Sequence, residues 1–331
     1  MVEIYQWNDI KEGFKHGLLL GNGASVAVHK RFAYPSLYAE ARANNHLTEQ
    51  VTGIFDAFGV QDFELVLRRL WQAKVVNEKL GIEASRLEES YTLVRKALIS
   101  TVHDVHISHE DAKPHLPPIY RFMSGFETVV SLNYDLLVYW SIMMGKDEFP
   151  KHFKDCFNNG QFIDDWEEWR VSLESGRTTL VFYPHGSLAL TRGVDEQESK
   201  LSAGQGHDLL TKIVTVWEQG KRVPLFVCEG TREHKLKAIG GSAYLQRVYS
   251  EVLPKVGESL VIYGWGMGDQ DMHILQRLKQ AKCKRVAVSV HNGNQNTVRQ
   301  AEHHLPSIGV EEVVFFDAES PGCWNNPAAD A

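Results

Sequence analysis

Asn133 and His185 are the side chains in this chain best suited to reaction chemistry, and each stands just after an apolar, β-branched run. Asn133 lies in Ser131-Leu132-Asn133-Tyr134-Asp135. Its planar amide carries a donor and an acceptor on one head, which suits holding ribose hydroxyls or a water. Asp135 could order the loop by accepting backbone N–H bonds, and it is well suited to cap a helix over Leu136–Met143. His185 lies in Tyr183-Pro184-His185-Gly186-Ser187. A histidine ahead of a glycine at a strand end can project into a cleft and titrate near neutral pH, the combination that general-base work requires. The plainer reading is a turn histidine bonded to a nearby carbonyl.

Two glycine-rich turns accompany them. Leu18-Leu19-Leu20-Gly21-Asn22-Gly23-Ala24-Ser25 reads as a buried strand stopping at a tight turn. Gly21 and Gly23 leave the backbone bare for close approach. With Ala24 and Ser25 they would open a helix whose N–H groups face a phosphate. The pattern is GxGxS, a variant of the dinucleotide fingerprint, and it also fits an ordinary strand-to-helix turn. Tyr263-Gly264-Trp265-Gly266-Met267-Gly268-Asp269-Gln270-Asp271 repeats the design. Gly264 and Gly266 offer bare backbone for a hydroxyl or phosphate, and Asp269 or Asp271 can cap the helix that follows.

The elements that must position these residues are visible as alternating patterns. Gly17–Leu20, Thr128–Leu132, Thr179–Tyr183, Pro224–Cys228, Leu260–Tyr263, Arg285–Val290 and Glu312–Phe316 are mostly continuous apolar runs, as central strands covered on both faces require. Amphipathic helices are predicted at Asp208–Glu218, Ser242–Leu253, Asp269–Lys279 and Gln295–Leu305. The alternation predicts an α/β fold with a doubly wound parallel sheet. Tyr38 to Phe126 breaks the rhythm with helical spacing at Phe63–Val76 and Ala84–Val105, and reads as a helical insertion. Met144–Arg177 reads as a small excursion over one sheet edge. The expected organisation is a core of residues 1–37 and 127–318, an insertion at 38–126, and a frayed, Pro-, Asn- and Ala-rich tail at 319–331.

At 331 residues and 43% apolar composition the chain can bury a real core. A net charge of −7 gives no electrostatic ground for direct nucleic-acid binding. No apolar run approaches the ~20 residues of a membrane span, and no secretory leader is visible, so a cytoplasmic protein is expected. Cys156, Cys228, Cys283 and Cys323 form no CxxC pair, so neither a zinc ribbon nor a disulfide framework is indicated. His103, His106 and His109, with Asp104 and Asp111, recur at three-residue spacing, but the third position drifts off a shared helix face. A solvated polar face is the expected reading there, and no metal site is expected.

Taken in order, GxGxS, Ser-Leu-Asn-Tyr-Asp, His-Gly and the Gly-rich loop with Asp resemble the sirtuin-like NAD-binding superfamily from Leu18 to about Val290. The segment Pro224–Ser250, with Val227-Cys228-Glu229-Gly230, Lys235 and Tyr244-Leu245, is similar to a bacterial branch of that superfamily. The deacetylase members carry paired CxxC motifs for zinc and a Gly-Ile-Pro-Asp-Phe-Arg segment after the serine. Here the cysteine pairs are missing and Val26–Pro35 reads Val-Ala-Val-His-Lys-Arg-Phe-Ala-Tyr-Pro. The resemblance therefore runs to zinc-lacking relatives that include NAD-hydrolysing effectors of antiphage defence.

What the resemblance implies is a Rossmann-like fold and an NAD⁺ glycohydrolase that uses NAD as substrate and needs no zinc. It implies Asn133 and His185 as the catalytic pair, with Asn133 on the nicotinamide ribose and the attacking water. Gly21, Gly23, Ala24 and Ser25 would hold the pyrophosphate, while Asp135, Gly264, Gly266 and Asp269 would complete the site. It further implies a homo-oligomer regulated by assembly, with a separately encoded ATPase or sensor protein as a candidate partner. The alternatives are a catalytically silent module that binds NAD or ADP-ribose, and an ADP-ribosyl transferase or deacylase.

Overall fold

The central apolar runs form strands with no polar alternation because helices cover both of their faces. The computed structural model describes residues 2–146, 152–170, 178–193, 195–202, 209–227 and 231–328. In chain order its strands are β1 (Ile4–Tyr5), β2 (Gly17–Leu20), β3 (Thr128–Ser131), β4 (Phe153–Lys154), β5 (Phe157–Asn158) and β6 (Gln161–Phe162). There follow β7 (Thr179–Phe182), β8 (Gly186–Gly193), β9 (Glu198–Lys200), β10 (Arg222–Phe226), β11 (Ser259–Tyr263), β12 (Arg285–Val290) and β13 (Glu312–Asp317). The main sheet runs β1-β13-β12-β11-β2-β3-β7-β4, and every neighbouring pair in it is parallel.

Numbered by their order in the chain, β2, β3, β7, β11, β12 and β13 stand in the sheet as 3-2-1-4-5-6. That is the Rossmann-like doubly wound order, in which the order of strands reverses between the first and the fourth. The reversal leaves a crevice outside the carboxyl ends of β2 and β11, and both glycine-rich turns lie there. Helices follow the strands as the alternation requires: Asn22–Val28 after β2, Leu137–Gly145 after β3, Met272–Leu278 after β11 and Gln295–Ser307 after β12.

Between β2 and β3 the chain is helical, at Leu37–Ala43, Glu49–Phe58, Phe63–Lys79, Ser85–Val105 and Leu116–Ser124 among others. Ser36, Thr48 and Asp62 cap the first three by accepting the N–H of Ala39, Val51 and Leu65 at 3.0, 3.3 and 3.1 Å. Buried Val66, Leu67, Val94 and Leu98 join these helices to the same core as the sheet.

Several expectations change. The run Pro224–Cys228 is not a central parallel strand: β10 pairs antiparallel with β8 in a separate β10-β8-β9 sheet. A short apolar run does not encode the direction of its partner, and β8 itself drew no prediction. Gly186 makes the turn into β8 with φ +78°, where a Cβ would sit 2.2 Å from the Leu225 carbonyl oxygen. Part of the Met144–Arg177 stretch joins the main sheet, since β4 pairs with β7 at its edge.

The tail is packed rather than frayed through residue 328. The Trp324 indole is buried and donates to the Ala24 carbonyl at 2.7 Å. Ser320 Oγ accepts the Trp7 N–H at 3.0 Å, and Asn325 donates to the Ala27 carbonyl at 3.0 Å. One tryptophan and one buried cysteine anchor a segment whose Pro, Asn and Ala content reads as loose. Asp208, Cys228, Glu229, Gly230 and residues 329–331 lie outside the described residues. No helix among the described residues is long and apolar enough to cross a membrane.

Candidate functional site

The carboxyl ends of β2, β3, β7 and β11 meet around one cleft of 920 Å³. Its lining includes Gly21, Asn133, Asp135, His185, Gly264 and Gly266. Phe32, Tyr34, Pro35, Ser36 and Leu37, from the stretch leading into the helical region, close another side. The volume lies within the range of small-molecule and cofactor sites, at the position where open α/β sheets bind ligands.

One wall is a closed hydrogen-bond network. The Asn133 amide donates both of its protons, to the Gly21 carbonyl and to Ser25 Oγ, each at 2.9 Å. Ser25 Oγ in turn donates to Asp135 Oδ2. The other carboxylate oxygen of Asp135 accepts the Leu137 N–H at 2.9 Å, which fixes the start of the helix after β3. Asp135 thus orders its loop, as an Asx-type residue does. Asn133 is held rigidly, with its Oδ1 left for the cleft.

The glycines of this wall serve the packing of two turns against each other. The Gly21 N–H donates to the Tyr263 carbonyl at 2.9 Å, and the Gly23 N–H to the Gly264 carbonyl at 2.7 Å. The Ala24 N–H is spent on the Gly21 carbonyl at 2.9 Å. A Cβ on Gly21 would meet Trp265 at 2.5 Å, and one on Gly23 would meet the Gly264 Cα at 2.7 Å. Gly264, at φ +68°, faces the Ala24 nitrogen at 2.3 Å from an added Cβ. The expected phosphate cradle is therefore corrected at these three amides, which are committed to protein carbonyls. Gly23, Ala24 and Ser25 do not line the cleft, whereas Gly266 does, with open space where its Cβ would be.

The opposite wall is different. His185 is buried, and its Nε2 lies 2.9 Å from Nε2 of His273, which is fully buried. Because Nε2 faces His273, the other ring nitrogen, Nδ1, is left on the side of the Leu132 backbone. Burial, followed by the Lys235 ammonium, pushes the His185 pKa down to about 3. Burial likewise brings His273 to about 4. The near-neutral titration expected of His185 is thus corrected: it is a neutral imidazole at pH 7. Beside the pair, Lys235 Nζ donates to Asp271 Oδ1 at 2.7 Å. Burial pushes the Asp271 carboxyl up, but His185 and Lys235 outweigh it and hold the group below the ordinary carboxylate value.

Asp269 neither caps the helix nor lines the cleft. It is exposed, and Met272–Leu278 begins beyond it without a side-chain cap. The expected polar face at His103–Asp111 divides. His106 is buried, accepting the Leu136 N–H at 3.1 Å and donating to the Ile107 carbonyl at 2.8 Å. Asp104 pairs with His46 at 2.6 Å.

Sequence reasoning missed His273, Lys235 as a partner of Asp271, and two aromatic residues of the lining, Tyr134 and Trp265. Tyr134 stacks on Phe226 with its hydroxyl buried and unpartnered, and Trp265 Nε1 is also buried without an acceptor. The Asp271-Met272-His273 spacing was the available signal. A lone histidine in an apolar helix start reads first as core.

No curated protein matches the chain. Among solved structures, one titled "Structural Basis for the Mechanism and Regulation of Sir2 Enzymes" is 11% identical over 92% of this chain and 88% of that chain, with a TM-score of 0.36. The family described as "Domain of unknown function (DUF4917)" matches residues 18–324. The chain belongs to this DUF4917 family.

Proposed function

We propose that the cleft binds NAD⁺ and hydrolyses its nicotinamide–ribose bond, releasing nicotinamide and ADP-ribose. The observation that carries this reading is the convergence of four sequence motifs. Gly21, Asn133, His185 and Gly264, from four different strand ends, line one crevice at the reversal point of the 3-2-1-4-5-6 sheet. Tyr134 and Trp265 add aromatic surface to the same lining.

Nicotinamide in NAD⁺ is a cationic leaving group, so departure needs little acid assistance and leaves an oxocarbenium-like sugar. Asn133 Oδ1, oriented by the two spent amide protons, would accept a ribose hydroxyl or the attacking water. A neutral His185, lining the same cleft, would accept a second hydroxyl at the ring nitrogen that does not face His273. Water adds to the anomeric carbon and its proton leaves to solvent, giving one nicotinamide, one ADP-ribose and one proton per turnover. So electrophilic a centre does not require a strong base. Gly266 and Gly264 would lie along the dinucleotide, while Asp135 supports the wall. The sequence resemblance extends the reading to a regulated, oligomeric effector of bacterial antiphage defence, answering to a separately encoded partner.

A second reading is a module that binds NAD or ADP-ribose without cleaving it. It is favoured by the engagement of His185 Nε2 with the buried His273 ring. Incubating the full chain with NAD⁺, alone and with the products of neighbouring genes, and quantifying nicotinamide separates the two. Hydrolysis predicts release that falls at least about 100-fold in Asn133→Ala. Saturable NAD⁺ binding without release supports the module. Neither binding nor release under any of these conditions sinks both.

A further inference from the structure

The His185–His273 contact poses a problem that the reading above does not absorb. Two neutral imidazoles carry two protons on four ring nitrogens. With the His185 proton on Nδ1, on the side of the Leu132 backbone, Nε2 is a bare lone pair. With its proton on Nε2, His273 donates to His185, but its Nδ1 becomes a buried lone pair with no donor. With the proton on Nδ1, on the side of the Gln270 carbonyl, two lone pairs face each other at 2.9 Å. Either of these arrangements leaves a buried nitrogen unsatisfied, which is unfavourable.

A cation between the rings removes the conflict in the second arrangement. Ligand atoms of His185, Asp271 and His273 lie within 4.8 Å of one another, the sole such convergence of three metal-ligating residues among the described residues. We infer that these three side chains form a binding site for a divalent transition-metal cation of the Zn²⁺ class. Two nitrogen–metal bonds at a tetrahedral angle place the nitrogens roughly 3.3 Å apart, so the rings need to separate by a few tenths of an ångström.

The surroundings select the class of ion. Lys235 occupies Asp271 Oδ1 and leaves Oδ2 to act as a ligand. The same ammonium cancels the carboxylate charge, so the site holds no net negative charge to attract Mg²⁺ or Ca²⁺, which also prefer oxygen donors. Two imidazole nitrogens favour Zn²⁺, Co²⁺ or Ni²⁺. Lys235 on Asp271 supplies an outer hydrogen bond of the kind that orients metal ligands. His185 and Asp271 line the cleft, so a further coordination position opens towards solvent or a bound molecule. The inference concerns binding and stands whether or not the cleft takes NAD⁺.

The test uses the full chain, stripped with a chelator and titrated with Co²⁺ while the visible d–d bands are followed. Zn²⁺ is measured by competition with a chromophoric chelator. The expected result is saturable binding of a single equivalent, weakened at least about 10-fold in both His273→Gln and Asp271→Asn. His304→Ala, in the surface pair His303-His304, should leave it unchanged. Circular dichroism establishes that each variant is folded. If a variant is not folded, ¹⁵N histidine resonances of the wild-type chain decide instead, with those of His185 and His273 expected to move on addition of Zn²⁺. No saturable binding below about 1 mM overturns the inference. So does binding that survives His273→Gln or disappears in His304→Ala, or a shared His185–His273 proton undisturbed by Zn²⁺. NAD⁺ binding by the stripped protein is measured separately, so failure here leaves the cleft's own assignment to its own test.

Discussion

The two walls of the cleft hold similar numbers of polar side chains but differ in how completely those are satisfied. On the wall of β2 and β3, Asn133, Ser25 and Asp135 form a chain of donors and acceptors that closes on backbone groups at both ends. On the wall of β7 and the Met272–Leu278 helix, His185 and His273 face each other at 2.9 Å, and His273 Nδ1 is buried without a partner. A neighbouring Lys235–Asp271 pair lies within the same cluster. Buried polar groups that satisfy one another rigidify a fold, whereas those left unsatisfied mark a place where something else is expected to bind. The first wall holds a shape and the second keeps a polar group unspent.

That contrast can be broken most severely at the glycines of the first wall. Gly264→Ala forces a side chain into left-handed backbone and against the Ala24 nitrogen, so a loss of more than about 3 kcal/mol is expected by urea unfolding. Gly266→Ala, which meets nothing within 4 Å, should change stability by no more than about 0.5 kcal/mol. Equal losses in both would remove the distinction between a packing glycine and a cleft glycine.

Ser25→Ala comes next. It leaves an Asn133 N–H and an Asp135 oxygen without their partner, and a loss of about 2–3 kcal/mol is expected in chemical denaturation. A loss below about 0.5 kcal/mol would mean that water replaces the hydroxyl and that the wall is not closed.

The smallest expected effect is an acid response confined to the second wall. His185 and His273 have folded pKa values of about 3 and about 4, below the ordinary 6.5. Below pH 6.5 the unfolded chain therefore binds more protons, and stability falls as pH drops towards 4, then levels off beneath the folded values. Lys235 opposes their protonation and Asp271 favours it. In chelator-treated protein, His273→Gln should reduce the stability lost between pH 7 and pH 4.5 by about 2 kcal/mol. An unchanged pH profile would show that the pair does not titrate on unfolding.

Much of the scaffold was legible in the sequence because its signals are local. Continuous apolar runs ending in Gly, Asn or His gave β2, β3, β7 and β11 and placed Gly21, Asn133, His185 and Gly264 at strand ends, where the structure has them. The same locality explains the failures. Pro224–Cys228 is apolar enough for a central strand, yet it pairs antiparallel elsewhere, since partner and direction are properties of two segments. The tail's composition did not reveal that Trp324 finds the Ala24 carbonyl 300 residues away.

The sequence alone determined the alternation of strands and helices, the positions of the turns and the presence of an Asn and a His at two strand ends, because backbone freedom and apolar burial act over a few neighbouring residues. Tertiary structure decided what those turns do. It spent the Gly21, Gly23 and Ala24 amides on protein carbonyls, tied Asn133 to Ser25, and brought His273, Asp271 and Lys235 to His185. Hydrogen-bond satisfaction and charge pairing depend on distances between segments far apart in the chain, and only the folded sheet sets those distances.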